Sequence, residues 1–171
     1  MPDDTTPNGS STPQAAFTGL AIIYAALMGG LLVISGMSLL LVSAGILQPE
    51  PMEPMVLWIM RGVTLIVSMV GALGVFVLIP MLVPIRLDFA KPMPLIDQLV
   101  PQMLNQRIMM AALVEAGGVI GATFHMVTGD PALLAAPVAS LLLLALIFPT
   151  TDRLARQAEI LARRAEEQLP E

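Results

Sequence analysis

Between Gln14 and Gln48 the chain carries no Asp, Glu, Lys, Arg or His. A helix over this stretch, rising about 1.5 Å per residue, is longer than the ~30 Å hydrocarbon core of a bilayer. A small soluble domain has too little interior to keep water from so long an uncharged run. The pattern recurs. From Pro54 to Leu87 only Arg61 and Arg86 interrupt a second apolar run, and residues 108–128 and 131–148 form two more. Charged residues make up 12% of the 171 positions, about half the share of a typical soluble domain. The expected fold is an all-α membrane protein. Four transmembrane helices, at about 17–47, 55–83, 108–128 and 131–148, form a bundle within a domain of residues 15–149.

The segments outside the spans have their own character. Residues 1–14 are rich in Pro, Ser, Thr and Gly and read as a disordered tail. They lack the basic residues of a secretory signal, so the first span is expected to be retained. The turn at 48–54 is short, acidic and stiffened by prolines. The connection at 84–107 is longer and polar; Leu95, Ile96, Leu99 and Val100 give it an apolar side suited to the membrane interface. Pro101 fits the first turn of the third span's helix. Gly129, Asp130 and Pro131 suit a left-handed helix end, an N-cap and a first helical position, making a tight hairpin. Pro137 predicts a kink in the fourth span. Residues 150–171 carry Leu154, Ala158, Leu161 and Ala165 on one stripe among charges, as in an amphipathic helix outside the bilayer.

Orientation follows from the basic residues. Arg86, Lys91 and Arg107 lie between spans two and three, and Arg153, Arg156, Arg163 and Arg164 follow span four. Basic loops stay on the cytoplasmic side, which places both termini there, in a cytoplasmic (inner) membrane.

Several function classes find no support. There is no cysteine for disulfides or thiolate metal sites, and His125 is the single histidine. No nucleophile–base pair, phosphate-binding glycine loop or metal-binding motif occurs, so neither an enzyme nor a cofactor is expected. No basic stripe points to nucleic acid.

The residues that remain are polar groups inside apolar spans, which are functional candidates because lipid tolerates them poorly. Glu115 lies about eight residues into span three, among Ala111, Ala112, Ala116, Gly117, Gly118, Gly121 and Ala122. It suits an interhelical hydrogen bond, an ion pair with Arg61, or reversible protonation. Arg61 has a second option, reaching back to Glu50 and Glu53. His125, near the end of the same span, can reach interfacial water or serve as a second intramembrane partner. Gly29 and Gly36 in span one, Gly71 in span two, and Gly118 and Gly121 in span three mark expected helix-packing seams. Tyr24 and Trp58 read as packing or interfacial anchors.

Residues 111–121, AALVEAGGVIG, resemble the ion-carrying helix of the proteolipid c subunit of rotary ATP synthases. In that family a membrane-embedded acid is followed by Ala and, six residues on, by Gly, matched here by Glu115, Ala116 and Gly121. The resemblance implies a proton or sodium site at Glu115 and a ring of copies. The family's first-helix glycine repeat and polar loop have no counterpart here, and this chain has two further spans and a charged tail. Two functions are therefore expected. One is a structural or accessory subunit that packs in the lipid bilayer as a homo-oligomer or within a larger membrane complex. The other is proton or ion translocation through Glu115. A small transporter is a third possibility, without an internal repeat to support it.

Overall fold

A computed structural model of the chain describes residues 13–49, 51–85, 94–150, 152–154, 156, 157, 160 and 163. Every regular element among them is helical. Helix α1 is Pro13–Ser43 and α2 is Pro54–Leu73; α2 continues through a π-helical turn, Gly74–Leu78, into the short α3, Ile79–Leu82. Helix α4 is Leu95–Thr128, and a 3-10 turn, Pro131–Leu134, opens α5, Ala135–Leu146. Most of the predicted tail at 1–14 and of the amphipathic helix at 150–171 lies outside the described residues.

Local chemistry sets the helix ends, in places differently from the sequence expectation. Helix α1 stops at Ser43, short of residue 47, because Gly45 takes a left-handed conformation with φ 68°. The amides of Gly45 and Ile46 then bond the carbonyls of Val42 and Leu41 at 3.1 Å each, closing a Schellman motif. At the end of α4, Gly129 adopts φ 67° and donates to the His125 carbonyl at 2.8 Å. Asp130 then caps the next turn, its side chain accepting from the Ala132 amide at 3.1 Å.

Three prolines shape the interior of the helices. Pro80 has no amide to donate and would clash with the carbonyl four residues back, and the π turn just before it absorbs that mismatch. Pro137 lies in the first turn of α5, so the expected kink becomes a change from 3-10 to α winding. Pro101 lies well inside α4, because that helix begins at Leu95 and buries Leu99, Val100 and Met103. The expectation that the helix starts near Pro101 is corrected: Leu99 and Val100, on the apolar side of the connection, pack on protein, and the helix extends backwards to Leu95.

Helix α4 is the centre of the structure. Its contacts with α1 run in parallel register: the Tyr24 hydroxyl meets the Arg107 carbonyl, Leu31 lies against Gly118, and Ser38 bonds the Ala122 carbonyl. Helix α2 runs antiparallel, with Gly71 against Leu113, Ser68 against Gly117 and Arg61 against Asp130. So does α5, with Ala136 against Gly121 and Ser140 against Gly118. The turn after α1 and the α4–α5 turn therefore share one end of the protein, where Pro49 touches Gly129. Tyr24, Arg107 and Phe148 gather at the other, where the Tyr24 and Phe148 rings meet edge to face at 6.0 Å.

The chain is an all-α membrane protein. Three helical stretches, Ala15–Ser43, Pro54–Leu82 and Asp97–Thr128, are long and apolar enough to cross a membrane, while Pro131–Leu146 is a shorter apolar helix. Large apolar side chains such as Ile22, Leu40, Ile66, Phe76 and Leu142 point outward, each more than half exposed, as hydrocarbon-facing groups do.

The expected packing glycines divide into two sets. A β-carbon at Gly71 would lie 2.8 Å from the Leu113 carbonyl oxygen, one at Gly118 2.9 Å from Leu31, and one at Gly121 2.7 Å from both Ala136 and the Leu133 carbonyl. At Gly29 and Gly36 it would meet nothing within 4 Å. Those two are not seams within this chain, because α1 turns Leu20, Tyr24, Leu31 and Ser38 to α4 and leaves its glycine side outside. Gly121→Leu and Gly71→Leu should each destabilise the fold by about 2 kcal/mol or more, since backbone atoms have to move apart. Gly62→Leu, at a glycine with open space around it, should leave thermal melting in detergent unchanged or slightly raised.

Candidate functional site

The polar side chains of the spans sort into three levels along α4. Arg61 and Asp130 occupy the end that bears the α4–α5 turn, with Arg61 Nε 2.6 Å from Asp130 Oδ2. The Arg61 guanidinium also lies 5.7 Å from the centre of the Trp58 ring, within cation–π reach. The expected pair with Glu115 is therefore corrected; among the described residues Arg61 does not pair with Glu53 either, and Glu50 lies outside them. The antiparallel register explains it. Glu115 is 13 residues before Thr128, where α4 ends at the Asp130 turn, about 20 Å along the axis and beyond side-chain reach of Arg61.

Just inside this end sits His125, only 2% exposed, with its Nδ1 3.3 Å from the Ser38 hydroxyl. Ser38 is itself fully buried and donates to the Ala122 carbonyl at 2.9 Å. The expectation that His125 reaches interfacial water is thus corrected. The small residues Gly118, Gly121 and Ala122 bring α1 and α5 onto α4 and close the histidine in.

Glu115 lies at the middle level and is half-buried. Its Oε1 is 4.0 Å from the position of a β-carbon on Gly30, so the carboxyl sits in the seam where α1 crosses α4. Among the described residues it has no hydrogen-bond or ion-pair partner. The hydroxyls of Ser35 and Ser68 are also buried without a partner among those residues. Ser68 lines a lateral groove of about 370 Å³ between α2 and α5, with Arg61 and Thr64 on the same wall and Ala136 and Ala139 opposite. No group of three metal-ligating side chains occurs among the described residues.

Sequence reasoning missed Asp130 as the partner of Arg61 and Ser38 as that of His125. Asp130 had a complete explanation as a helix cap, and a serine in an apolar run gives no signal of which backbone it will meet. It also missed Gly74 as a contact point, where a β-carbon would fall 2.9 Å from Leu113; Gly117, one of the small residues around Glu115, meets α2, where a β-carbon would fall 2.9 Å from the Ser68 hydroxyl.

No protein-family model, curated protein or solved structure matches this chain.

Asp130 stands outside the apolar segments, and its bond to the Arg61 guanidinium is the main force holding its carboxyl below the usual carboxylate range. A depressed carboxyl stabilises the folded state above the ordinary value of about 4 and loses that contribution as pH falls through the lowered one. Melting of the wild type should therefore fall with acidification below about pH 4 more steeply than that of Asp130→Asn. Parallel pH dependence in the two proteins would show that the pair contributes nothing.

Proposed function

We propose that the chain is a four-span protein of the cytoplasmic (inner) membrane and a structural or accessory subunit of a membrane assembly, either homo-oligomeric or larger. Pro131–Leu146 serves as the fourth span. Its 16 residues, four of them in the steeper 3-10 winding, rise about 26 Å, close to the hydrocarbon thickness. Both termini are cytoplasmic because the connections at 48–54 and 129–130 hold no Lys or Arg, while the connection at 84–107 and the segment after the fourth span carry seven of the eight.

The observation that carries the assembly reading is the position of Glu115. A carboxyl at mid-depth without a partner costs several kcal/mol in lipid, and a helix from another subunit can remove that cost by donating a hydrogen bond. Beside it α1 presents Gly29, Gly30 and Gly36 outward, so a second backbone can approach on that side. The function does not require an enzyme or a cofactor.

A second reading keeps the same residue. Glu115 exchanges protons or ions, as its resemblance to the c-subunit helix implies. Its partial exposure and the absence of a described cationic partner favour this reading.

One set of variants separates the two. In bilayers, energy transfer between labelled copies, together with identification of co-purifying membrane proteins, reports assembly; pH change inside liposomes reports proton flux. For an accessory subunit, Gly29→Leu and Glu115→Gln should each reduce assembly several-fold without proton flux in the wild type. For a translocating subunit, Glu115→Gln should abolish flux yet leave assembly intact. Intact assembly in both variants, with no flux in the wild type, would refute both readings.

Reporter fusions should place residues 48–54 outside the cytoplasm and the Arg153–Arg163 region inside it. The reverse result would overturn the orientation.

A further inference from the structure

At the end of the protein opposite Arg61, two arginines share one cavity. Arg107 of α4 and Arg153, just beyond α5, line a pocket of about 220 Å³ with Gln157, and its apolar wall includes Phe76, Leu146 and Phe148. Arg107 Nη2 donates to Gln157 Oε1 at 3.1 Å, which fixes the guanidinium at the pocket rim. Leu154, only 2% exposed, anchors the segment that carries Arg153, and its amide bonds the Thr150 carbonyl at 3.1 Å. Neither arginine forms an ion pair with a carboxylate among the described residues, unlike Arg61.

The apolar side of this pocket is built for the bilayer. Phe76 projects from the π turn ahead of Pro80 and is 64% exposed, and Leu146 at the end of α5 is 69% exposed. Both belong to the hydrocarbon-facing surface, while the arginines sit where the apolar helices give way to polar chain. The pocket therefore offers two cations at headgroup depth and a lipid-facing apolar strip directly beside them.

We propose that this pocket binds an anionic phospholipid, its phosphate held by Arg107 and Arg153 and an acyl chain lying along Phe76 and Leu146. Guanidinium groups match phosphate oxygens with paired hydrogen bonds, and two of them together exceed the charge of one phosphodiester. A zwitterionic lipid brings its own cation near the arginines and gains less. A soluble phosphate compound could use the arginines but not the apolar strip. Basic pockets between membrane helices recognise anionic headgroups in this way, each arginine favouring them by about five-fold.

The test uses the full chain with Trp58→Phe and Phe76→Trp, which moves the single indole to the pocket wall. In phosphatidylcholine bilayers, dibrominated phosphatidylglycerol should quench this indole with at least about five-fold greater apparent affinity than dibrominated phosphatidylcholine. Combining Arg107→Gln with Arg153→Gln should bring that ratio close to one, while Arg163→Gln should leave it unchanged. Equal quenching by the two lipids, or a ratio that survives loss of both arginines, overturns the site. Displacement of the brominated lipid by glycerol 3-phosphate at equal phosphate concentration overturns the lipid assignment in favour of a soluble anion. The unmodified chain gives an independent reading. Its melting temperature in detergent should rise with added phosphatidylglycerol and not with phosphatidylcholine, and the double arginine variant should lose the rise; a wild type that does not respond refutes the proposal.

Discussion

Close approach of the neighbouring helices around one short stretch of α4 is the constraint on which the other contacts depend. Helices in lipid gain little from burying apolar side chains against one another, so association rests on the fit of their surfaces. Gly117, Gly118 and Gly121 supply that fit within five residues. They point in different directions around the helix, towards Ser68 of α2, towards Leu31 of α1 and Ser140 of α5, and towards Leu133 and Ala136 of α5. One short stretch thus holds three neighbours. Gly71 extends the same approach from the α2 side, against the Leu113 backbone.

Once the helices are this close, the polar groups find partners according to depth. At one end Tyr24 is wholly buried, and its hydroxyl is satisfied by the Arg107 carbonyl at 2.9 Å. At the other, Ser38 satisfies a backbone carbonyl and His125 together, and Arg61 meets Asp130. The middle is different. Glu115, and the hydroxyls of Ser35 and Ser68, have no partner among the described residues. Ionisable groups inside a span are rare in membrane proteins and are candidates for function. The Glu115 side of α4 and the exposed glycines of α1 are therefore the natural focus for a functional reading.

The irregular turns contribute in a similar way. Pro80 converts one turn of the second apolar segment to π winding, and that turn presents Phe76 to the surface beside Arg107 and Arg153. The run Pro131 to Pro137 winds as 3-10 before it becomes α, which sets Leu133 and Ala136 directly over Gly121. In both places a proline that a regular helix would resist becomes the means of placing a particular side chain.

Much of this was legible in the sequence, because one-dimensional patterns are enough to specify it. The uncharged runs require membrane-spanning helices. Gly129, Asp130 and Pro131 dictate a helix end, a cap and a new start in three successive residues, and the small residues around Glu115 mark α4 as a packing surface. What the sequence could not settle is which faces meet. Gly29 and Gly36 look like Gly71 and Gly118 in a list, yet the rotation of α1 about its own axis leaves the first pair outside. Arg61 had acids available at several depths, and only the antiparallel register of α2 and α4 selected Asp130. His125 was placed near an end by counting residues, but its burial depends on how tightly α1 closes over it. Propensity and hydropathy act along the chain and fix where helices begin and end. Helix rotation and register are set by contacts between residues far apart in sequence, and those exist only in the folded structure.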